Sequence, residues 1–421
     1  MKILWLCNVL LPQIAEKIGA DRPVLGGWLS GASDQILTDN ENELIVLFPY
    51  GSEEEGRIGN LVYASYAEIR TDLYDESLTG RFVELILKYS PDVIHIWGTE
   101  SAHSLSMSIA AQKCGMLGRT VASIQGLVHV CADHYSVGLS SRIQKGRTLR
   151  DWIRKDSIYN QQRLFYSRGE NEKKALKILK NVIGRTDWDK ESTLAVNPAL
   201  QYFHCNESLR GEFFSAKKWE LEECRKHTIF CAQGNYPIKG LHFAIRALAL
   251  LKKQYPDVQL RVTGTDFVNK SFFQSQKKTY YFVYLRKLVK KFGLENNIVF
   301  LGSLDAEKMI AEYRNANVFL SPSTIENSSN SIGEAMLVGT PVVSSNVGGC
   351  PSIVENGKTA LLYEVTDVKA LAQNIGQIFE DGALAKSLSR NAIEVACLRH
   401  DHAKNHETLM AIYKEMITSQ E

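Results

Sequence analysis

The chain is poor in the features that announce several common protein classes. Its eight cysteines are scattered at 7, 114, 131, 205, 224, 231, 350 and 397, with no CxxC pair among them. Neither a zinc site nor a disulfide framework is therefore expected, and reduced thiols in a cytosolic compartment fit the pattern. No apolar run approaches the roughly 18 residues of a membrane span. The N-terminal run "KILWLCNVLLP" is short and interrupted by Asn8, and it reads as a first buried strand rather than a signal peptide. The net charge of +2 over 421 residues argues against a dedicated nucleic-acid partner. Internal repeats, low-complexity tracts, the GxGxxG fingerprint and the HExxH spacing are all missing.

Continuous β-rich runs are present throughout. They fall at 2–9, 43–49, 93–98, 120–126, 181–186 and 202–206, then at 228–234, 258–264, 297–303, 317–323, 341–346 and 360–364. Most end in Gly, Ser or Asn and alternate with helical patterns. Strands apolar on both faces need helices on both sides, which means parallel sheets with crossovers. Leu241, Ala244, Ile245, Leu248 and Leu251 recur at one-face helical spacing. Two such series predict an α/β chain of two doubly wound, Rossmann-like domains: 1–210, 211–400, and a terminal helix in 401–421 returning toward the first. In such sheets, ligands bind beyond the carboxyl ends of the strands.

Several strand-end stretches could carry chemistry. In "STIENSSNSIGEAMLVGTPVV" (323–343), a loop leads from a strand into a helix. The amides of Ser329, Asn330 and Ser331 at the helix start suit an anion. Glu326 and Glu334 are acceptors suited to hydroxyls. Glu334 also fits a capping box with Ser331, and Glu326 fits a solvated loop carboxylate. In "AQGNYPIKGLHFAI", Lys239 precedes a helix and suits phosphate charge, or stands exposed in a turn. "GGW" at Gly26 and Gly27 permits close backbone approach, or is a plain turn. His95, Glu100, His103, Gln125, His129, Asp133 and His134 lie near strand ends; without a metal-ligand spacing, they suit hydrogen-bonding a polyhydroxylated ligand better than a metal, or form an ordinary polar rim. Residues 142–180 hold 12 Lys/Arg against 4 Asp/Glu, interleaved with Ile143, Leu149, Trp152, Ile153, Ile158, Leu164 and Phe165. That stretch reads either as a surface for an anionic membrane or as a solvated helical face.

Taken together these residues resemble the retaining GT-B glycosyltransferases of family 4. The resemblance rests on Glu326, Glu334, "AMLVGTPVV", "VGG" (347–349), "YPIKG" and "GGW". "SIQGLV", "GRTDWD" and "YFHCNESLR" are similar to an exopolysaccharide and capsule branch. The resemblance implies two domains facing across a cleft and sugar transfer from a UDP- or GDP-linked donor to a saccharide or lipid-linked acceptor, without metal or other cofactor. It implies that Glu334 binds the ribose and Glu326 the donor sugar. Asn327, Ser329, Asn330, Ser331 and Lys239 would hold the diphosphate, with Gly26 and Gly27 opposite. Gly234 and Asn235 would line the donor site, and the loops near Gly302 and Leu304 would take the base. Acceptor contacts would fall to Glu100, Gln125, His129 and Arg185. Two departures stand out. Asn235 replaces the family's usual Arg, a cation that Arg185 could supply instead. Gln125 replaces a usual His. A nucleotide-sugar 2-epimerase and a non-catalytic binding subunit are the alternatives.

Overall fold

The computed structural model describes all residues except 22–26, 68–69, 269–277 and 420–421. Gly26 is thus outside the described residues, while Gly27 opens the helix Gly27–Thr38. The chain forms two compact units. Met1–Val130, Leu164–Arg210 and His400–Glu421 make the first, and Cys131–Arg163 with Gly211–Arg399 make the second. Sequence alternation alone put 131–163 in the first domain. These residues belong instead with the second unit, because their anchors are there: Thr148 Oγ1 donates to the Lys278 carbonyl and Asp151 accepts from the Tyr280 amide.

The first unit carries an eight-stranded sheet. Its strands are β1 (Lys2–Leu6), β2 (Glu43–Tyr50), β3 (Glu55–Ile58), β4 (Leu61–Ala67), β5 (Val93–Trp97), β6 (Thr120–Ser123), β7 (Asn181–Gly184) and β8 (Gln201–His204). Their order is β3-β4-β2-β1-β5-β6-β7-β8. All pairs are parallel except β3 with β4. The β3–β4 hairpin was not expected from the sequence. β3 is half exposed, with no apolar run to mark it.

β1 and β5 are apolar on both faces, and each face has its own core. Leu4, Ile94, Ile96, Phe82 and Leu85 pack on one side, and Ile3, Trp5, Leu29 and Ile36 on the other. The helix His402–Thr418 joins the second core through Leu409, Ile412, Tyr413 and Met416. Tyr413 is fully buried, and its hydroxyl accepts from Trp5 Nε1 at 3.1 Å and meets His95 Nδ1 at 2.5 Å. Burial pushes the His95 imidazole down to about 3, so it sits neutral between Tyr413 and Ser123.

The second unit carries six parallel strands: β9 (Arg225–Cys231), β10 (Gln259–Val262), β11 (Ile298–Phe300), β12 (Ala316–Ser321), β13 (Val342–Ser345) and β14 (Ala360–Tyr363). Their order, β11-β10-β9-β12-β13-β14, is the doubly wound one. The winding reverses between β9 and β12, which opens a crevice at their carboxyl ends.

Candidate functional site

The crevice between β9 and β12 is where the second unit gathers its polar groups. Past β9, a short turn Pro237–Lys239 ends at Gly240 and the helix Leu241–Leu251 begins. Past β12, the loop 322–329 leads into the helix Asn330–Val338. The two connections touch through backbone. Thr324 N donates to the Ile238 carbonyl at 2.7 Å. Gly240 has φ +66°, and a Cβ there would lie 1.7 Å from the Pro322 carbonyl oxygen, so only glycine permits this approach. On the other side, the Gly349 amide donates to the Glu326 carbonyl at 2.9 Å. The loop carrying Glu326 is thus clamped by the "KG" and "GG" pairs.

This clamp brings Lys239 and Glu326 together. The Lys239 ammonium donates to Glu326 Oε1, and Ser323 Oγ donates to the same oxygen at 2.7 Å. Burial alone would lower the lysine, but the Glu326 carboxylate outweighs it and holds the ammonium above its ordinary value. Both side chains keep an edge open to solvent.

Ser329 holds the N-cap position of the helix Asn330–Val338 with no side-chain cap bond. Ser331 therefore lies within the helix, and the capping box it could have formed with Glu334 does not arise. The Ser329 and Ser331 hydroxyls stand 3.0 Å apart. Glu334 is buried and accepts from the Tyr313 hydroxyl at 3.2 Å. Asn327 is buried in the same loop, and Arg399 Nη2 reaches Ser328 Oγ at 3.4 Å.

The next loops are tied to one another. Asn235 Oδ1 accepts from the Thr265 amide at 3.3 Å, and the Gly264 amide donates to the Gly302 carbonyl at 2.8 Å. Asn235 thus links the β9 and β10 connections. A Cβ at Gly234 would run into Leu241 and Val262, and Leu304 is half-buried beyond Gly302.

In the first unit, four adjacent strands each deliver a polar group just past their carboxyl ends. Glu100 follows β5, Gln125 follows β6, Arg185 follows β7 and Glu207 follows β8. Glu207 joins three of these strand ends. It accepts from Arg185 Nη1 at 2.5 Å and from Gln125 Nε2. Arg185 Nη2 donates to the Ile124 and Gln125 carbonyls. A second carboxylate, Glu172, is fully buried. It accepts from Thr99 Oγ1 at 2.8 Å and from the His129 amide at 3.0 Å, and meets His129 Nδ1 at 2.6 Å. Glu100 is half-buried, and Arg168 donates to its carbonyl. Burial, with Glu172 nearby, pushes the Glu100 carboxyl up to about 7.

The structure thus pairs Lys239 with Glu326, places Glu334 beside Tyr313 in the helix that follows the same loop, and gathers Gln125 and Arg185 around Glu207. Sequence reasoning passed over Glu207, Glu172, Tyr313 and Arg399. Glu207 had a legible signal, its place just past a strand. Glu172 had none, sitting mid-helix in a charged stretch. Among the described residues, no group of three or more His, Cys, Asp or Glu is placed to hold a metal ion, and no helix is long and apolar enough to cross a membrane.

Residues 213–395 match the model of the family described as Glycosyl transferases group 1. Over the full chain, the fold is similar to sucrose-phosphate synthase from Thermosynechococcus elongatus, with a TM-score of 0.69, 20% identity and complete coverage of both chains. It is also similar to Anabaena HepE solved with UDP, with a TM-score of 0.66, 18% identity, and coverage of 99% of this chain and 100% of that one. The fold is thus that of the GT-B glycosyltransferases, two Rossmann-like units with parallel sheets, and the second unit carries the group 1 match. Among curated proteins, the chain is 28% identical to the D-inositol 3-phosphate glycosyltransferase of Corynebacterium urealyticum over 184 residues, 44% of this chain and 42% of that protein. It is 27% identical to the GDP-mannose-dependent alpha-(1-6)-phosphatidylinositol monomannoside mannosyltransferase of Mycolicibacterium smegmatis over 167 residues, 38% of this chain and 40% of that protein. These matches span about two-fifths of each relative's length.

Proposed function

We propose that the chain is a metal-independent, retaining glycosyltransferase. It moves a sugar from a UDP- or GDP-linked donor to a polysaccharide or lipid-linked saccharide, in exopolysaccharide or capsule assembly. The observation that carries this reading is the Lys239–Glu326 pair beside the start of the helix Asn330–Val338. Free amides at a helix start and one ammonium suit a diphosphate. As the sugar–phosphate bond breaks, negative charge grows on the diphosphate, and a held cation stabilises it there. Lys239 must then leave Glu326, which frees that carboxylate to accept from sugar hydroxyls. Glu334, backed by Tyr313, accepts from the ribose, Asn327 to Ser331 line the diphosphate, and Gly302 to Leu304 take the base. Arg399, whose Nη2 reaches Ser328 in the same loop and whose Nη1 donates to the Ser352 carbonyl, is the second cation of this reading, and the Arg185 guanidinium stays with Glu207 and two carbonyls.

Glu100, Gln125 and His129 contact the acceptor in this reading, and residues 142–180 meet an anionic membrane from the cytoplasmic side. Support comes from relatives named as glycosyltransferases acting on inositol phosphate or phosphatidylinositol mannoside. None of the relatives or solved structures reported above is named as an epimerase or a binding subunit.

The test is a thermal-shift panel of nucleoside diphosphates and nucleotide-sugars, followed by turnover with the best donor. A stabilising diphosphate and acceptor-dependent release of it are expected. If no nucleotide raises Tm, the donor assignment is wrong.

A further inference from the structure

The helix Leu149–Arg154 is only six residues long, yet it is firmly held. Thr148 caps it in a reciprocal box with Asp151. Asp151 is buried on the inner face and also accepts from the Tyr280 amide at 2.8 Å, while Thr148 Oγ1 donates to the Lys278 carbonyl at 2.9 Å. The outer face is apolar and open. Leu149, Trp152 and Ile153, at i, i+3 and i+4, are 63%, 70% and 65% exposed. Other described side chains this exposed, Leu87 and Leu398, lie far apart in the chain. Leu149 and Ile153, with Phe282 from the helix Tyr280–Phe292, form the apolar wall of a groove of about 560 Å³, and Arg150, Arg154 and Lys278 supply its cations.

The charge around this face has one sign. Arg142, Lys145, Arg147, Arg154 and Lys155 are all exposed. The acids of the stretch are turned to internal use: Asp151 is buried, and Asp156 pairs with Arg150 at 2.6 Å. A rigid apolar stripe, headed by a tryptophan and ringed by cations, matches a surface that is hydrocarbon within and anionic at its rim. A protein partner would more often need acidic side chains in register with these cations. A bilayer needs only an anionic surface.

We propose that this face, built from the helix Leu149–Arg154 and the start of the helix Tyr280–Phe292, docks onto an anionic phospholipid bilayer. Trp152, Leu149 and Ile153 enter the headgroup boundary, and Arg147, Arg154 and Lys155 pair with lipid phosphates. The inference deepens the lipid-linked acceptor reading and rests on it for its purpose. It also narrows the basic stretch 142–180. The half beyond 163 lies in the first unit and turns Asn171 and Glu172 inward.

The full-length chain is floated with phosphatidylcholine vesicles, with and without phosphatidylglycerol. Nucleoside diphosphate binding is measured on the same samples. Wild type is expected to float only with the anionic vesicles and to be released by salt. Replacing Arg147, Arg154 and Lys155 together by Gln should weaken partitioning about a hundredfold, at about fivefold per charge. Trp152→Ser with Ile153→Ser should weaken it at unchanged charge. Both variants should melt like wild type, since all five side chains are exposed. Equal flotation of wild type and both variants, or none by wild type, overturns the proposal, including the case where only a protein partner is retained. Normal flotation without nucleotide binding leaves the docking face standing and removes the donor reading.

Discussion

Each sheet ends in a cation–carboxylate pair, and the two pairs are built for different work. Arg185 in the first unit spends its guanidinium on Glu207 and on two main-chain carbonyls, and both members are nearly sealed from solvent. Lys239 in the second unit has one hydrogen-bonded acceptor, Glu326, and both members keep an open edge. The first arrangement is a pin that ties three strand ends together. The second can be exchanged, because an incoming anion can take the ammonium without leaving the rest of the loop unsatisfied. What separates them is the number of protein acceptors around the cation and their place in the sheet. Arg185 follows β7, one strand in from the sheet edge, whereas Lys239 and Glu326 flank the point where the second sheet's winding reverses.

Substitutions can break or sharpen this contrast. The largest effect is expected at the pin. Glu207→Ala leaves a buried guanidinium without its counter-charge, and should cost about 3 kcal/mol or more in denaturant-melt stability. A near-wild-type melt would make the pin no different from the exchangeable pair. Glu326→Ala should instead leave folding largely intact and lower kcat for transfer by at least about a hundredfold, with nucleoside diphosphate binding by calorimetry retained. Unchanged turnover would remove Glu326 from the donor sugar. Lys239→Ala should weaken diphosphate binding by about 2 kcal/mol, the scale of a charge-assisted hydrogen bond. Equal affinity in the titration would place the phosphates elsewhere.

The last expectation concerns pH. The Glu100 carboxyl is raised from 4.5 to about 7, so the folded chain binds its proton more tightly than the unfolded chain does. Its contribution to stability is fully present below the ordinary value and is lost as pH rises toward 7. Glu100→Gln should flatten that part of the stability–pH profile. A slope that persists in the variant would assign it to another group.

The same contrast governs what could be read without coordinates. Lys239, Glu326 and Glu334 lie in two short stretches, each a strand end running into a helix start, so local pattern was enough to single them out. The turn at Gly240 and the glycine pair at 348–349 were equally visible, though not that they close on Pro322 and Glu326 from two sides. Gln125, Arg185 and Glu207 come from three strands spread over more than 80 residues, and only the β6-β7-β8 order makes them neighbours. Glu172 offered no pattern, because a fully buried carboxylate in a helix rich in Lys and Glu looks like any solvated one. The basic stretch 142–180 looked uniform for a similar reason. Its division into an exposed apolar and basic face and an internal half depends on which unit each part packs with.

The helix His402–Thr418 carries a consequence for how the chain matures. Tyr413 completes the buried contact with Trp5 and His95, yet some four hundred residues separate it from Trp5. During synthesis β1 is made well before the helix that covers it. Until that helix is made, the apolar face formed by Ile3, Trp5 and Val46 has no lid from Leu409, Ile412 and Met416. A fragment stopped at residue 210 would leave that face uncovered, so this unit is completed only once residues 402–418 have been made.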